Sequence, residues 1–245
     1  MPGRAKLVLV EAKLMLRDPT ALFFVVALPV VLLVIFDFIT TEQAADEADR
    51  ASLKMYVPAI ALSLALVMIA LNLLPTNLAT YRERGILRRL SVSPAHPSRV
   101  LIAQLAVNFV TSVISTVVVV TVADLAFDMA PPRQVPAFVL MFVLSAWALF
   151  AIGLLIAALA PNGRTATAVG LSVLFPSLFL GGGFVPLEDL PDPIRRIGEY
   201  TPLGAAMTGF RDAWAGNWPD ARFLIVPAVI GLVGTVLAAR VFRWE

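Results

Sequence analysis

A compact charged block stands between apolar runs at Tyr81–Pro94, YRERGILRRLSVSP. Arg82, Glu83, Arg84, Arg88 and Arg89 fall within nine positions, and long apolar runs flank them. Guanidinium and carboxylate groups form charge-assisted hydrogen bonds, so such a block can grip another charged surface. Read as a helix over Tyr81–Ser91, it puts Ile86, Leu87 and Leu90 on one side. Glu83 has Ala79 and Thr80 behind it and Ile86 and Leu87 ahead, so no basic residue three or four positions away answers its charge. Pro94 and Pro97 then stop the helix. Topology alone explains arginines in a cytoplasmic loop. It does not explain the acid among them. The block is predicted to be a short helix that docks a cytoplasmic protein through Tyr81, Arg82, Glu83, Arg84, Gly85, Leu87, Arg88 and Arg89.

Other polar groups are scattered through apolar sequence: Asn72, Thr76 and Asn77, then Asn108, Thr111, Ser112 and Ser115, then Ser172 and Ser177. Their ordinary use is hydrogen bonding between membrane helices, at about 0.6 kcal/mol each. A second use is a weakly polar lining for an amphipathic cargo, with Asn72, Asn77, Asn108, Ser112 and Ser177 as the candidates. No catalytic residue or metal site is predicted. The chain has no cysteine and one histidine, His96, expected in a solvated loop. It lacks a G-x-x-x-x-G-K-[ST] phosphate loop, an H-E-x-x-H and a G-x-S-x-G. Asp37 and Asp124 are the only acids near the apolar stretches, both at one end. Proton- or ion-coupled carriers keep costly ionisable groups at mid-membrane, so any transport here is expected to draw its energy from another chain. Nucleic acid is not an expected partner.

These groups are carried by a membrane protein. Of 245 residues 59% are hydrophobic and 15% charged, against roughly 45–50% and 25% in soluble domains. Six stretches have the length of about 20 apolar residues that a bilayer crossing needs: 20–39, 56–78, 100–123, 136–160, 165–185 and 221–241. In lipid they must be helices. The first is too long for the h-region of a cleaved signal and is expected to be retained. The N-terminus, Thr80–Arg99, Pro161–Arg164 and Arg240–Glu245 together hold twelve basic and four acidic residues of the chain's 19 and 17. That side is predicted to be cytoplasmic, with both termini inside. Residues 1–19 alternate Leu7, Val10 and Leu14 with Lys6, Lys13 and Arg17, the pattern of a helix lying on an anionic membrane surface. Pro186–Asp220 is too polar to span and too apolar for a free loop; two short interfacial helices, 193–200 and 203–215, are predicted on the outer side.

YRERGILRRLSVSPAHPSRVLIAQL resembles the coupling-helix region of type-2 ABC exporter permeases, including the daunorubicin-exporter and polysaccharide-exporter branches. GGGFVPLEDLPDPIRRIGEYTPLGAAMTGFRDA (Gly181–Ala213) resembles their string between spans five and six, and LMLRDPTALFFVVALPV (Leu14–Val30) their N-terminal entry. Ile86 stands where the family usually has Thr, and Arg88 where it often has Glu. The resemblance implies a single six-span, all-α permease domain in the cell membrane. It would pair with a second permease subunit, each seated on a separate ABC ATPase that binds ATP and Mg, and would move a hydrophobic, drug-like or lipid-like substrate outward by alternating access. The chain itself would carry no cofactor and catalyse nothing. The residues also leave open a non-transport membrane protein (an assembly scaffold or a lipid-modifying enzyme) and the membrane subunit of a vitamin importer.

Overall fold

The computed structural model describes residues 13, 19, 23, 27–43, 47–86 and 98–241. Among these the chain forms α1 (Leu28–Gln43), α2 (Glu47–Met68), a π-helical turn (Ile69–Leu73), α3 (Leu74–Glu83), α4 (Ser98–Phe127), α5 (Val135–Leu159), α6 (Gly163–Leu180), a 3-10 turn (Leu187–Asp189), α7 (Asp192–Glu199), α8 (Pro202–Ala215) and α9 (Ala221–Val241), and no strand. Among the described residues five stretches are long and apolar enough to cross a membrane: Leu53–Glu83, Val100–Phe127, Val135–Leu159, Gly163–Leu180 and Ala221–Val241. The apolar part of α1 is Leu28–Phe38, shorter than a crossing. The helix expected over 1–19, apart from isolated positions, and Leu87, Arg88, Arg89 and His96 lie outside the described residues.

Two boundaries differ from expectation. The second span does not stop at 78, and no separate helix begins at Tyr81: Tyr81, Arg82 and Glu83 are the last turn of α3. Pro75 lies in the first turn of α3, where a missing N–H is tolerated, and no helix breaker follows it before Gly85. Arg84 and Gly85 then turn the chain, with Gly85 at φ +66° in the left-handed conformation that ends many helices. The fifth span stops at Leu180 rather than 185, because Gly181 and Gly182 (φ +86°) turn the backbone.

The stretch α2–π–α3 is the centre of the bundle. Its spanning window is 83% buried, against 22% for α9, and a helix apolar on all sides belongs inside. α1 and α4 pack on one flank; α5, α6 and α8 pack on the others, and α9 lies along α5. There the Trp147 ring covers Gly231, and its indole N–H donates to Thr235 Oγ1 at 3.0 Å.

The π turn has a local cause. The Leu74 N–H reaches back to Ile69 O, and the next residue, Pro75, has no N–H to give. Ala70's carbonyl is left without its ladder donor. That oxygen faces Gly153 of α5, and Leu71's carbonyl faces Gly170 of α6, so closely that a Cβ on either glycine would collide with it. Glycine is what lets three backbones meet here.

The segment after α6 does contain two short helices, but only α7 has an exposed apolar side chain, Ile197. α8 is not surface-lying. Leu203, Ala206, Met207, Phe210 and Trp214 are buried against α2, α5 and α9. Phe138 meets the Phe210 and Trp214 rings at 5.4 and 5.2 Å, and Trp214 Nε1 donates to Ala130 O at 3.0 Å. Small residues along α8 (Gly204, Ala205, Ala206, Gly209, Ala213) let it enter the bundle end, which hydropathy counted along the chain does not register.

Candidate functional site

The charged block is tied to the loop joining α5 and α6. Arg82 donates from Nη1 to Ala158 O at 3.1 Å and from Nη2 to Ala160 O, so its cation sits on the C-terminal carbonyls of α5. The next residue does the converse. Glu83 Oε2 accepts the Gly163 N–H, at 3.2 Å, at the first residue of α6. A helix carries partial negative charge at its C-terminus and partial positive charge at its N-terminus. Adjacent side chains of opposite sign therefore cap two helix ends that meet at one loop. Asn162 completes the start of α6 by accepting the Thr165 N–H at 2.8 Å.

The tie continues inward along α3 and α6. Thr80 lies against Gly163, where no Cβ would fit; Thr76 and Thr167 share a hydroxyl hydrogen bond at 2.9 Å; Leu71 O meets Gly170. Positions 83, 80, 76 and 71 descend one helix while 163, 167 and 170 climb the other, an antiparallel seam of small and polar groups. The charged block is thus joined to both α5 and α6.

Of the residues predicted to dock a partner, Tyr81 and Arg82 are half-buried, Glu83 and Arg84 are exposed, and Gly85 forms the turn. The acid that finds no partner in its own helix finds one 80 residues away. That partner is a backbone amide, which leaves no mark in the sequence.

The five candidate path residues separate into groups. Asn108 and Ser112 are buried on one face of α4 with Gln104, Thr111, Ser115 and Thr116. Thr111, Ser112 and Thr116 donate to the carbonyls four residues back, and Asn108 Nδ2 donates to Gln104 O at 2.8 Å. Asn108 Oδ1 is buried without a partner among the described residues, as are the Ser63 and Ser145 hydroxyls. Asn72, Asn77 and Ser177 are half-buried on other helices, and Ser177 donates to Val173 O of its own helix.

Residues 6–214 match the family described as ABC-2 type transporter. The chain belongs to the ABC-2 type transporter family. It is a multi-pass membrane subunit of an ABC transporter, with an ABC ATPase implied as its partner. It is 24% identical over 234 residues to the daunorubicin resistance ABC transporter permease protein DrrB1 of Streptomyces coeruleorubidus, covering 92% of this chain and 80% of that protein. It is 25% identical over 182 residues to the inner membrane transport permease YhhJ of Escherichia coli and of Shigella flexneri, covering 71% of this chain. The matched region spans 48% of YhhJ.

At the opposite end of this ABC-2 permease a second polar cluster holds the α7–α8 segment in place. The Arg211 guanidinium pairs with Glu188 at 2.8 Å and lies 5.1 Å from the centre of the Tyr56 ring. Tyr56 donates its hydroxyl proton to Gly182 O. Arg222 pairs with Glu199 at 2.9 Å and Asp220 at 3.5 Å. Sequence reasoning did not single out Tyr56, Glu188, Arg211 or Arg222. Arg211 and Glu188 are 23 positions apart, beyond any helical spacing. Among these charges Asp212 is half-buried, and desolvation pushes its carboxyl above the usual range against the opposing Arg211; Asp220 and Glu188 push it further up. With the folded-state value raised, the ionised carboxylate costs stability above that value, and the cost disappears as pH falls through it. Asp212→Asn is therefore expected to raise the melting temperature in detergent at neutral pH. The gain should shrink as the pH is lowered toward the ordinary carboxylate range. A variant that melts below wild type at pH 7 would contradict this assignment.

Proposed function

We propose that this chain is the permease half of an ATP-driven exporter in the cell membrane, with both termini cytoplasmic and six spans, the first being residues 20–39. A second permease copy or close relative completes the path, with α6, the first span and Gly181–Gly183 at the seam. A separate ATPase holding ATP and Mg docks on Tyr81–Arg89. The observation that carries this reading is the Arg82–Glu83 tie: a docking partner pushing on the block would move the adjoining ends of α5 and α6 as one piece. The cargo is hydrophobic or amphipathic, drug-like or lipid-like; the name of the Streptomyces relative supports that class. Asn72, Asn77, Asn108, Ser112 and Ser177 line the path, and Asn108 offers an unmet acceptor.

The test combines topology with activity. Cysteines placed at Glu47 and Asp192 should react with an impermeant reagent from outside, and one at Arg88 only after permeabilisation. The purified chain should hydrolyse no ATP by itself and should co-purify with an ABC ATPase whose activity responds to hydrophobic compounds. Labelling at Arg88 in intact cells, or ATP hydrolysis by the chain alone, would sink the reading.

A further inference from the structure

α4 and α5 follow each other in the chain yet part company at their junction. α4 packs on α1 and α2, while α5 packs chiefly on α9, α8 and α3. The gap between them is an apolar slot of about 380 Å³. Val117, Val120 and Thr121 line it from α4, and Val135, Phe138 and Val139 from α5. Pro131 and Pro132 line it from the connecting loop, and Thr116 is the lining residue of α4 farthest along the helix from that loop. From the end of α4 at Phe127 to Thr116 is eleven residues, about 16 Å at 1.5 Å per residue. Half of the hydrocarbon core is about 15 Å. The α4 lining therefore stays within about half the hydrocarbon core of that helix end, and beyond it α4 and α5 meet where the Phe109 and Phe142 rings lie 5.9 Å apart. In hydrocarbon such a space is filled by chains rather than water.

The loop end of the slot carries one charge of each sign. Asp124 continues the Val120–Thr121 face one turn toward the surface, and Arg133 sits in the loop between the lining residues Pro132 and Val135. Both are exposed, and neither joins an ion pair among the described residues, whereas neighbouring Lys54 and Asp128 pair at 3.2 Å. We propose that the slot holds one acyl chain of a zwitterionic aminophospholipid, with its phosphate at Arg133 and its primary ammonium at Asp124. An ammonium N–H can donate to the carboxylate. A trimethylammonium headgroup has no N–H to give, and a glycerol headgroup has no cation. The inference needs only that the chain spans a bilayer, and not the direction or cargo of transport.

The experiment reconstitutes the permease in vesicles of equal palmitoyl-oleoyl phosphatidylethanolamine, phosphatidylcholine and phosphatidylglycerol. The chain is then extracted in mild detergent and the retained lipid is weighed by native mass spectrometry. Wild type should retain phosphatidylethanolamine several-fold over the other two. Val139→Trp and Val117→Trp fill the slot from side chains 51% and 58% exposed, and should release it. Asp124→Asn should equalise phosphatidylethanolamine and phosphatidylcholine, and Arg133→Gln should lower retention of both. Unchanged retention in both tryptophan variants overturns the proposal, as does equal retention of the three lipids by wild type. So does loss of a second protein copy with lipid unaffected, which would make the slot an interface between chains. Should both tryptophans prevent folding, the lipid ratio in Asp124→Asn decides alone.

Discussion

Gly170→Val should leave little folded protein. The glycine lies against the carbonyl oxygen of Leu71 in the π turn, with no room for a Cβ, and backbone cannot swing aside as a flexible side chain can. Overpacking a tight interior typically costs about 1–3 kcal/mol and occasionally more. This site sits at the upper end, because α6 would have to leave the seam that also contains the Thr76–Thr167 hydrogen bond. Gly153→Val should behave likewise through Ala70 O, moving α5 instead of α6. Val169→Ala, one residue from Gly170 and 40% exposed, serves as the control and should be nearly silent. The measurement is yield and melting temperature of the monodisperse peak in detergent. If Gly170→Val melts with wild type, the close approach of α6 to the π turn is wrong.

Glu83 should separate a structural cap from a docking contact. Losing the bond to the Gly163 N–H costs on the order of 0.5–2 kcal/mol, as for other N-terminal caps, so Glu83→Ala should melt slightly below wild type yet still fold. Glu83→Gln keeps an oxygen for that N–H and should melt normally. If the exposed carboxylate also accepts a basic group of an ATPase, both variants should lose ATPase association and transport. Removing one member of a desolvated charge pair costs about 2–5 kcal/mol, more than a tenfold drop in affinity. Arg89→Ala should do less if Arg89 only faces headgroups, at about 1 kcal/mol. Matched expression, a pull-down with the ATPase and a transport assay decide it. Normal docking and transport by Glu83→Gln would leave Glu83 as a helix cap and nothing more.

Expectation and structure agreed best where a single physical length governs. A crossing must be about 20 apolar residues, so the expected spans at 100–123, 136–160 and 221–241 lie within a few residues of α4, α5 and α9. They diverged where glycine or proline acts locally. Gly181 and Gly182 end α6 early, and helix runs unbroken from Pro75 to Glu83, absorbing the start of the block expected to stand alone. α8 was legible as a short helix because its segment is too polar to span and too apolar for a free loop. Its burial was not, because that depends on which helices surround it.

The sequence by itself determined that this is an all-helical membrane chain without a phosphate-binding loop, and that a compact, mainly basic block follows the second span. Those properties follow from composition and from spacing along one segment, which the bilayer reads directly. Only the tertiary structure decided what Arg82 and Glu83 touch within the chain. Their partners are the backbone atoms of Ala158, Ala160 and Gly163, 76 to 80 residues away. Every residue offers a carbonyl and nearly every one an amide, so no residue type marks which of them will be left unpaired at a helix end. The same holds for the π turn: Pro75 removes a donor, but the meeting of Gly153 and Gly170 with the exposed carbonyls requires three helices to be in place.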